Sequence, residues 1–526
     1  MRHLPKPPQP TASSGADVRW ACLCGGIVLA AFLIVNPFAE MPFNDDWSYC
    51  FSVRELVRSG HLLYNGWSAP LIITHVCWGA LFAKIFGYSF AVLRFSTLPL
   101  AMGCGVLAYL LARSADLPPA RAIFFFLLLC LSPLFLPLAL SFMTDVPALF
   151  YTLFCLYAFV RTAQSQRASI CLAWLAGGIT FGIIGGMGRQ TVWVAPLSVV
   201  PYLIFLRRRQ SWFAATAAFA WMLVIADIFF SLRWFNRQPW VYLDPPLLNC
   251  MRMGFHKPGI FLNNLVMVCL TLVLLILPAV LPSVFASLAR LWRLRKTWRG
   301  PVNAIVFCIL GLGIARNPTF GLPPWLFNIL TVKGVIGGLE LSGHRPVALP
   351  LAVQCCLSAL VLLSSFLIAD RIVEFLFEPR ASLTRLREFF TQDSRTVPVL
   401  AIFGSVYLLL MIIRSAQDLV FDRYCLPIVP CLVIPLLRHF KPRVLAWSVL
   451  AIYIAYGLAS TQDNLALAAA RRAAVDRLES AGVPSTEIAA GFEYDFYTQL
   501  EQAGHVNRYG ILNPPNAFNE TQGNTP

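Results

Sequence analysis

The sequence predicts an all-α polytopic membrane protein, and three observations carry that prediction. Of its 526 residues, 58% are hydrophobic and only 13% charged, at a mean hydropathy of +0.68. The apolar residues gather in many separate runs, most of them near the roughly 20 residues that cross a bilayer as a helix. The basic residues, which bring the formal charge to +16, fall in short clusters between those runs rather than on one polar domain. That distribution excludes a soluble multidomain chain and a nucleic-acid surface, and the positive-inside rule accounts for it.

Residues 1–17, with Pro5, Pro7, Pro8 and Pro10, cannot form a helix and read as a disordered cytoplasmic tail. The run at 18–39 is long for a signal-peptide core, and no A-x-A site follows it, so it is expected to be a retained helix. Directly after it comes Phe43-Asn44-Asp45-Asp46-Trp47-Ser48-Tyr49, two adjacent carboxylates among amphipathic aromatics where the chain leaves the bilayer. Asp and Asn are good N-cap residues, so this stretch can cap a helix at 47–59, do chemistry, or both.

Three apolar segments, 70–87, 92–112 and 122–140, separate this stretch from Thr144-Asp145-Val146-Pro147. The first is short, broken by His75 and Lys84, and preceded by polar aromatic sequence, which suits a helix lying on the membrane surface. Taking it as non-crossing puts both acidic motifs on the outer side. Further spans follow at 146–163, 169–187, 191–206, 213–231, 259–287, 302–315, 347–369, 396–413, 424–438 and 444–459, giving about thirteen crossings in all. With this parity every strong basic cluster is cytoplasmic: Arg113 and Arg121, Arg161 and Arg167, Arg207 to Arg209, Arg290 to Arg299, Arg371 to Arg395, and Arg438 to Arg443.

The outer side then holds the loops at 40–91, 232–258 and 316–346 and the tail after 460. The tail reads as an amphipathic helix at 464–480 and a short strand at 487–492, a small α/β appendage that needs the membrane part for stability. Most of the fifteen cysteines lie inside apolar runs as small hydrophobes; Cys50 and Cys250, in outer loops, are the exceptions.

Several polar residues on that outer face need a reason. Asp145, followed by Pro147, can be a plain helix cap, yet topology places it beside Asp45 and Asp46. Gly185-Gly186-Met187-Gly188-Arg189-Gln190 puts an arginine outside, against the charge bias, next to glycines that permit close backbone approach. Arg414, Asp418, Asp422, Arg423 and Tyr424 form an ion-pair cluster or, with an arginine in surplus, a phosphate site, since guanidinium binds phosphate bidentately. Lys333 lies in the loop at 316–346, a binding loop or only a cover. No HExxH, P-loop, GxSxG or EF-hand spacing occurs, and three Asp without a His cluster disfavour a zinc hydrolase.

This layout resembles the membrane-embedded GT-C glycosyltransferases, especially the bacterial family-39-like group of protein O-mannosyltransferase relatives and the aminoarabinose transferase that modifies lipid A. The resemblance rests on Asp45-Asp46-x-x-Tyr49 after the first helix, then interfacial helices, Thr144-Asp145-x-Pro147, and Asp422-Arg423-Tyr424 with Leu426-Pro427. It implies a GT-C catalytic domain over 18–459 with a periplasmic tail at 460–526. It further implies sugar transfer from a polyprenyl-phosphate donor to a cell-envelope glycan, lipid or protein acceptor at the periplasmic face of the bacterial inner membrane. The catalytic candidates are Asp45, Asp46 and Asp145, with Asp46 favoured as base. The substrate-binding candidates are Tyr49, Arg189, Gln190, Lys333, Arg423 and Tyr424. The resemblance implies no particular cofactor, and a divalent cation bridging the acids and the phosphate is left open. Relatives of the lipid A enzyme tend to carry Lys-Pro-Pro ahead of the interfacial helix; here the stretch is Trp67-Ser68-Ala69-Pro70, so the donor phosphate must be held from elsewhere, or the donor or acceptor differs. The competing reading is a transporter or flippase of lipid-linked sugars. That reading calls for ionisable residues near the bilayer midplane, whereas here they gather at the outer ends of spans; Asp227, the notable intramembrane exception, sits near the outer end of its helix.

Overall fold

The structure, a computed structural model, describes residues 15–243, 245–281, 322–336, 346–377, 395–416 and 420–506, with isolated positions between 289 and 305. Most of the crossing expected at 302–315, together with Asp418 and residues 507–526, lies outside the described residues.

Among the described residues the chain is a helical bundle. In order come α1 (Gly15–Ile34), α2 (Asp46–Ser59), α3 (Ile73–Phe86), α4 (Phe90–Ser114), α5 (Pro119–Cys130), the short α6 (Phe135–Ala139), α7 (Asp145–Gln164), α8 (Ala168–Gly188) and α9 (Val194–Leu206). Then follow α10 (Ser211–Phe235), α11 (Leu247–His256), α12 (Pro258–Leu275), a two-stranded hairpin β1 (Leu330–Thr331) and β2 (Gly334–Val335), α13 (Leu351–Phe377) and α14 (Thr396–Arg414). The chain closes with a 3-10 turn at Asp422–Ile428, α15 (Val429–His439), α16 (Val444–Ser480) and α17 (Phe492–Ala503). Eight of these helices are long and apolar enough to cross a membrane, and α3, α5, α9 and the first part of α13 are shorter apolar helices.

Contacts at the helix ends define two faces of the bundle. At one, Asp17 of α1 pairs with Arg113 of α4 at 2.7 Å, and Arg121 donates to the Leu437 carbonyl at 2.7 Å. At the same face Thr396 donates to the Ser114 carbonyl, Arg207 closes the end of α7 on the Thr162 carbonyl at 2.9 Å, and Arg395 bonds the Ala163 carbonyl. Arginines of three of the basic clusters read as cytoplasmic thus gather at one end, beside Leu437 and Thr162, which adjoin two more. At the opposite face Glu40 accepts the amides of Phe90 and Ala91 at the start of α4, and buried Arg94 donates to the carbonyls of Pro37, Ala39 and Met41.

Both ends of α3 lie at this second face. Its leading residue Ile72 donates to the Gly188 carbonyl at 3.2 Å, and just beyond its end Tyr88 shares a hydrogen bond with Tyr497 at 2.9 Å. A 14-residue helix spans about 21 Å, too little to cross, and Leu81, Ile85 and Phe86 present an exposed apolar side to lipid. The non-crossing reading of 70–87 therefore matches the described contacts.

Two expectations change. The separate helix at 464–480 is the outer half of α16, which continues to Ser480; its 37 residues reach about 55 Å against a hydrocarbon core of about 30 Å. The strand expected at 487–492 is a 3-10 turn (Ser485–Glu487) leading into helix α17, so no strand occurs among the described residues of the tail. The outer half of α16 packs Leu465, Ala468 and Val475 with Phe32, Ala39 and Phe43 beside the first loop. Cys50 and Cys250 are both buried thiols and are not joined to each other. Asp227 on α10 accepts Trp193 Nε1 at 2.9 Å and Ser231 at 3.1 Å, which satisfies both its oxygens.

Cysteines introduced at the exposed positions His61 and Lys84 should gain label from the same side of sealed membrane vesicles, above the background of the parent chain. A cysteine at exposed Arg443 should gain it only after permeabilisation. Lys84 and Arg443 reacting from the same side would overturn the two-face assignment.

Candidate active site

The turn into α2 sends its two carboxylates in different directions. Asn44 takes a left-handed backbone at φ 51°, a conformation Asn tolerates, and its side chain donates to Asn328 at 2.9 Å. Asp46 faces the scaffold: Oδ1 accepts the Phe43 amide at 2.6 Å and Oδ2 the Phe142 amide at 2.9 Å, with 2% of the residue exposed. Asp45 faces away from that scaffold, where Oδ2 accepts Arg423 Nη2 at 2.8 Å and Oδ1 accepts Trp67 Nε1 at 3.1 Å. Asp45 stands at the N-cap position but makes no side-chain capping bond, so the capping reading of this stretch is corrected.

The same division recurs at Asp422-Arg423. Asp422 is fully buried and accepts the amides of Ile329, Leu330 and Arg423, which pins the β1–β2 hairpin to the 3-10 turn. Arg423 turns toward Asp45. Burial opposes the Arg423 charge, yet Asp45 and Asp145 hold its pKa well above the ordinary value.

A second ion pair completes the cluster. Asp145, the first residue of α7, accepts Arg189 Nη1 at 3.0 Å, and the same nitrogen donates to Thr144 Oγ1 at 2.6 Å. The glycines allow this approach, because a Cβ at Gly188 would lie 2.7 Å from Thr74 Oγ1 and one at Gly186 only 1.9 Å from the Trp193 indole nitrogen. Tyr424 sits under both cations, its ring centre 5.3 Å from the Arg189 guanidinium carbon and 5.6 Å from that of Arg423. The Tyr49 phenol lies within electrostatic reach of Asp45, Arg423, Arg189 and Asp145 together.

The cluster leaves capacity unused. Arg423 Nε and Nη1 and Asp145 Oδ2 are buried without a hydrogen-bond partner among the described residues. A crevice lined by Thr74, Trp78, Pro147, Tyr151 and Gly188 runs from between α3, α7 and α8 to Arg189 and Thr144. Two arginines with spare donors, two carboxylates and aromatic walls can take an anionic headgroup and accept a proton beside it.

The structure thus brings together Asp45, Asp145, Tyr49, Arg189, Arg423 and Tyr424 of the residues expected from sequence. It turns Asp46 into the scaffold, which corrects the preference for Asp46 over Asp45. Gln190 donates to the Ala69 carbonyl at 3.2 Å, and half-buried Lys333 sits in the hairpin turn without a carboxylate partner among the described residues. Sequence reasoning missed Tyr407, whose hydroxyl donates to the Tyr424 carbonyl at 3.2 Å, and Arg94, whose signal was a lone cation at the start of an apolar run. Among the described residues no group of three His, Cys, Asp or Glu is placed to hold a metal ion.

The sequence profile of the dolichyl-phosphate-mannose-protein mannosyltransferase family matches residues 70–234, a stretch that holds Asp145 and Arg189 but neither Asp45 nor Arg423. No curated protein matches the chain. Similar solved structures include ArnT from Cupriavidus metallidurans bound to undecaprenyl phosphate, at 13% identity and a TM-score of 0.42, covering 91% of this chain and 84% of that one. The apo state of the same protein follows at 13% identity and 0.37, covering 86% and 78%. Arabinosyltransferase EmbB from Mycobacterium smegmatis is similar at 14% identity and 0.37, covering 89% of this chain and 43% of that one.

Burial pushes the Asp46 carboxyl up to about 7, against the lowering effect of the Phe142 and Phe43 amides and Arg94. A folded-state pKa above the unfolded one means that Asp46 contributes stability present in full below about pH 4 and lost as pH rises through about 7. Thermal unfolding of Asp46→Asn in detergent should therefore show a flatter dependence between pH 4 and 7 than the parent. Asp46→Ala, which orphans two buried amides, should lose about 3 kcal/mol.

Proposed function

We propose that this chain is a GT-C-type membrane glycosyltransferase that moves a sugar from a polyprenyl-phosphate donor to a lipid, polysaccharide or protein acceptor. In this reading it works on the periplasmic face of the bacterial inner membrane, with the basic end of the bundle in the cytoplasm. The observation that carries the proposal is the paired cluster Asp45–Arg423 and Asp145–Arg189, gathered at one end of the bundle with donors of Arg423 unfilled. The family profile over 70–234 supports the same chemistry. A transporter reading gains nothing from Asp227, whose oxygens are both engaged.

Asp45 is the base. The acceptor hydroxyl attacks the anomeric carbon, its proton passes to Asp45 Oδ2, and the bond from that carbon to the phosphate oxygen breaks with both electrons leaving on the phosphate. A phosphate leaves readily, so no general acid is needed, and direct displacement inverts the anomeric centre. Arg423 and Arg189 stabilise the charge that grows on the leaving phosphate. In this reading Arg423 and Arg189 carry the charge on the leaving phosphate, so the transfer is metal-independent.

The test uses purified full-length protein with undecaprenyl-phosphate hexoses and pentoses radiolabelled in the sugar, and an envelope-lipid extract as acceptor. Asp45→Asn should lower kcat by about 10²- to 10⁴-fold with donor KM little changed. Arg423→Gln should lower kcat by about 10²- to 10³-fold and raise donor KM. EDTA should leave the rate unchanged. Full transfer by both Asp45→Asn and Asp145→Asn would sink the catalytic assignment, and label crossing the membrane with no new glycosidic bond would favour a flippase.

A further inference from the structure

We infer that Trp67 is a positioning residue for Asp45, and that the C-terminal helix α17 sets its orientation. The inference rests on the reading of Asp45 as the base. Trp67 lies in the loop between α2 and α3, and its indole N–H is the second anchor of the Asp45 carboxylate, on the oxygen that Arg423 does not hold. When a donor phosphate draws the Arg423 guanidinium, Trp67 is the contact that keeps Oδ2 aimed at the acceptor hydroxyl.

The indole is held from several sides. Its ring lies 5.1 Å from that of Trp47, which is fully buried, and 5.6 Å from both Phe492 and Phe496 of α17. The loop backbone is gripped as firmly. Buried Asn65 accepts Ser48 Oγ at 2.8 Å and the Trp67 amide at 3.3 Å, while its own amide nitrogen donates to the Ser48 carbonyl at 2.8 Å. Gly66 donates to the Trp240 carbonyl at 2.6 Å, and Val506, just past α17, donates to the Asn65 carbonyl at 3.0 Å. Two further links fix α17 to the first loop, Tyr497 to Tyr88 at 2.9 Å and Glu501 to Arg54 at 2.6 Å. A loop that served only to connect α2 with α3 would not need contacts from residues more than 400 positions away to set one indole.

Trp67→Phe keeps the ring packing and removes the N–H. In the radiolabelled-donor assay this variant should lower kcat about tenfold, with unchanged KM for the undecaprenyl-phosphate sugar. In the Asp45→Asn background the same change should have no further effect, because its target is already gone. Trp67→His, which restores a ring N–H, should recover part of kcat, and Phe496→Leu should lower kcat in the parent but not in Trp67→Phe. Parent kcat in Trp67→Phe, or an equal loss with and without Asp45, would overturn the positioning role while leaving the base assignment standing. Full turnover by Asp45→Asn would instead remove the base assignment, and the inference with it.

Discussion

Two ion pairs, Asp45 with Arg423 and Asp145 with Arg189, each joining a buried residue to a half-buried one, are the constraint on which the rest of this structure depends. Removing one partner of a buried pair leaves a charge that low-dielectric surroundings penalise by about 3–5 kcal/mol. The four segments that supply these side chains must therefore arrive together: the turn before α2, the start of α7, the end of α8 and the 3-10 turn before α15. That need accounts for features a plain bundle lacks. Helix α3 returns to the face it left, so that 40–91 stays on one side. The glycines ending α8 let Thr74 and Trp193 close in, which brings Arg189 alongside Thr144.

Segments that meet at such a site are turns and hairpins, whose amides lack a helical partner and cannot be left bare in a buried region. Carboxylates satisfy them. Asp46 ties Phe43 to Phe142, and thereby joins the turn carrying Asp45 to the one carrying Asp145. Asp422 ties the hairpin to the turn carrying Arg423. Arg94 does the converse for three carbonyls between α1 and α2. In both the Asp45-Asp46 and Asp422-Arg423 dipeptides, one residue builds the support and its neighbour enters the cluster.

That division explains what sequence could and could not reveal. Charge bias pointed to a shared face, because it depends on composition over long windows, and the candidate residues Asp45, Asp145, Arg189, Arg423 and Tyr424 do meet at one end of the bundle. Choosing between Asp45 and Asp46 depends on the left-handed turn at Asn44 and on an amide at Phe142, nearly a hundred residues away, and no spacing rule encodes either. The length of α16 was readable: no Gly or Pro lies between Ser460 and Ser480, so nothing stops the helix at 459. The tail strand failed because a six-residue apolar run does not distinguish a strand from the approach to a helix, and Phe492 and Phe496 of that helix find their partners only across the fold, at Trp47 and Trp67.

Arg423, bonded to Asp45 through one nitrogen and with two further donors unbonded among the described residues, bears on the proposed reaction through its charge. Without substrate, two carboxylates and two guanidiniums sum to zero. A polyprenyl-phosphate sugar is a phosphodiester that brings one negative charge. As the glycosidic bond forms, Asp45 takes a proton and loses its charge, while the leaving phosphate gains a second one. The total is unchanged, and a negative charge has in effect moved from one side of Arg423 to the other. A guanidinium already bonded to the group that is neutralised, with spare donors for the group that is charged, needs little reorganisation as the barrier is crossed, and this is the form of electrostatic preorganisation that favours the transition state over the bound substrate. A lysine at 423 would have a single ammonium in place of the fork and could not face both groups from one fixed plane, so the geometry calls for an arginine there.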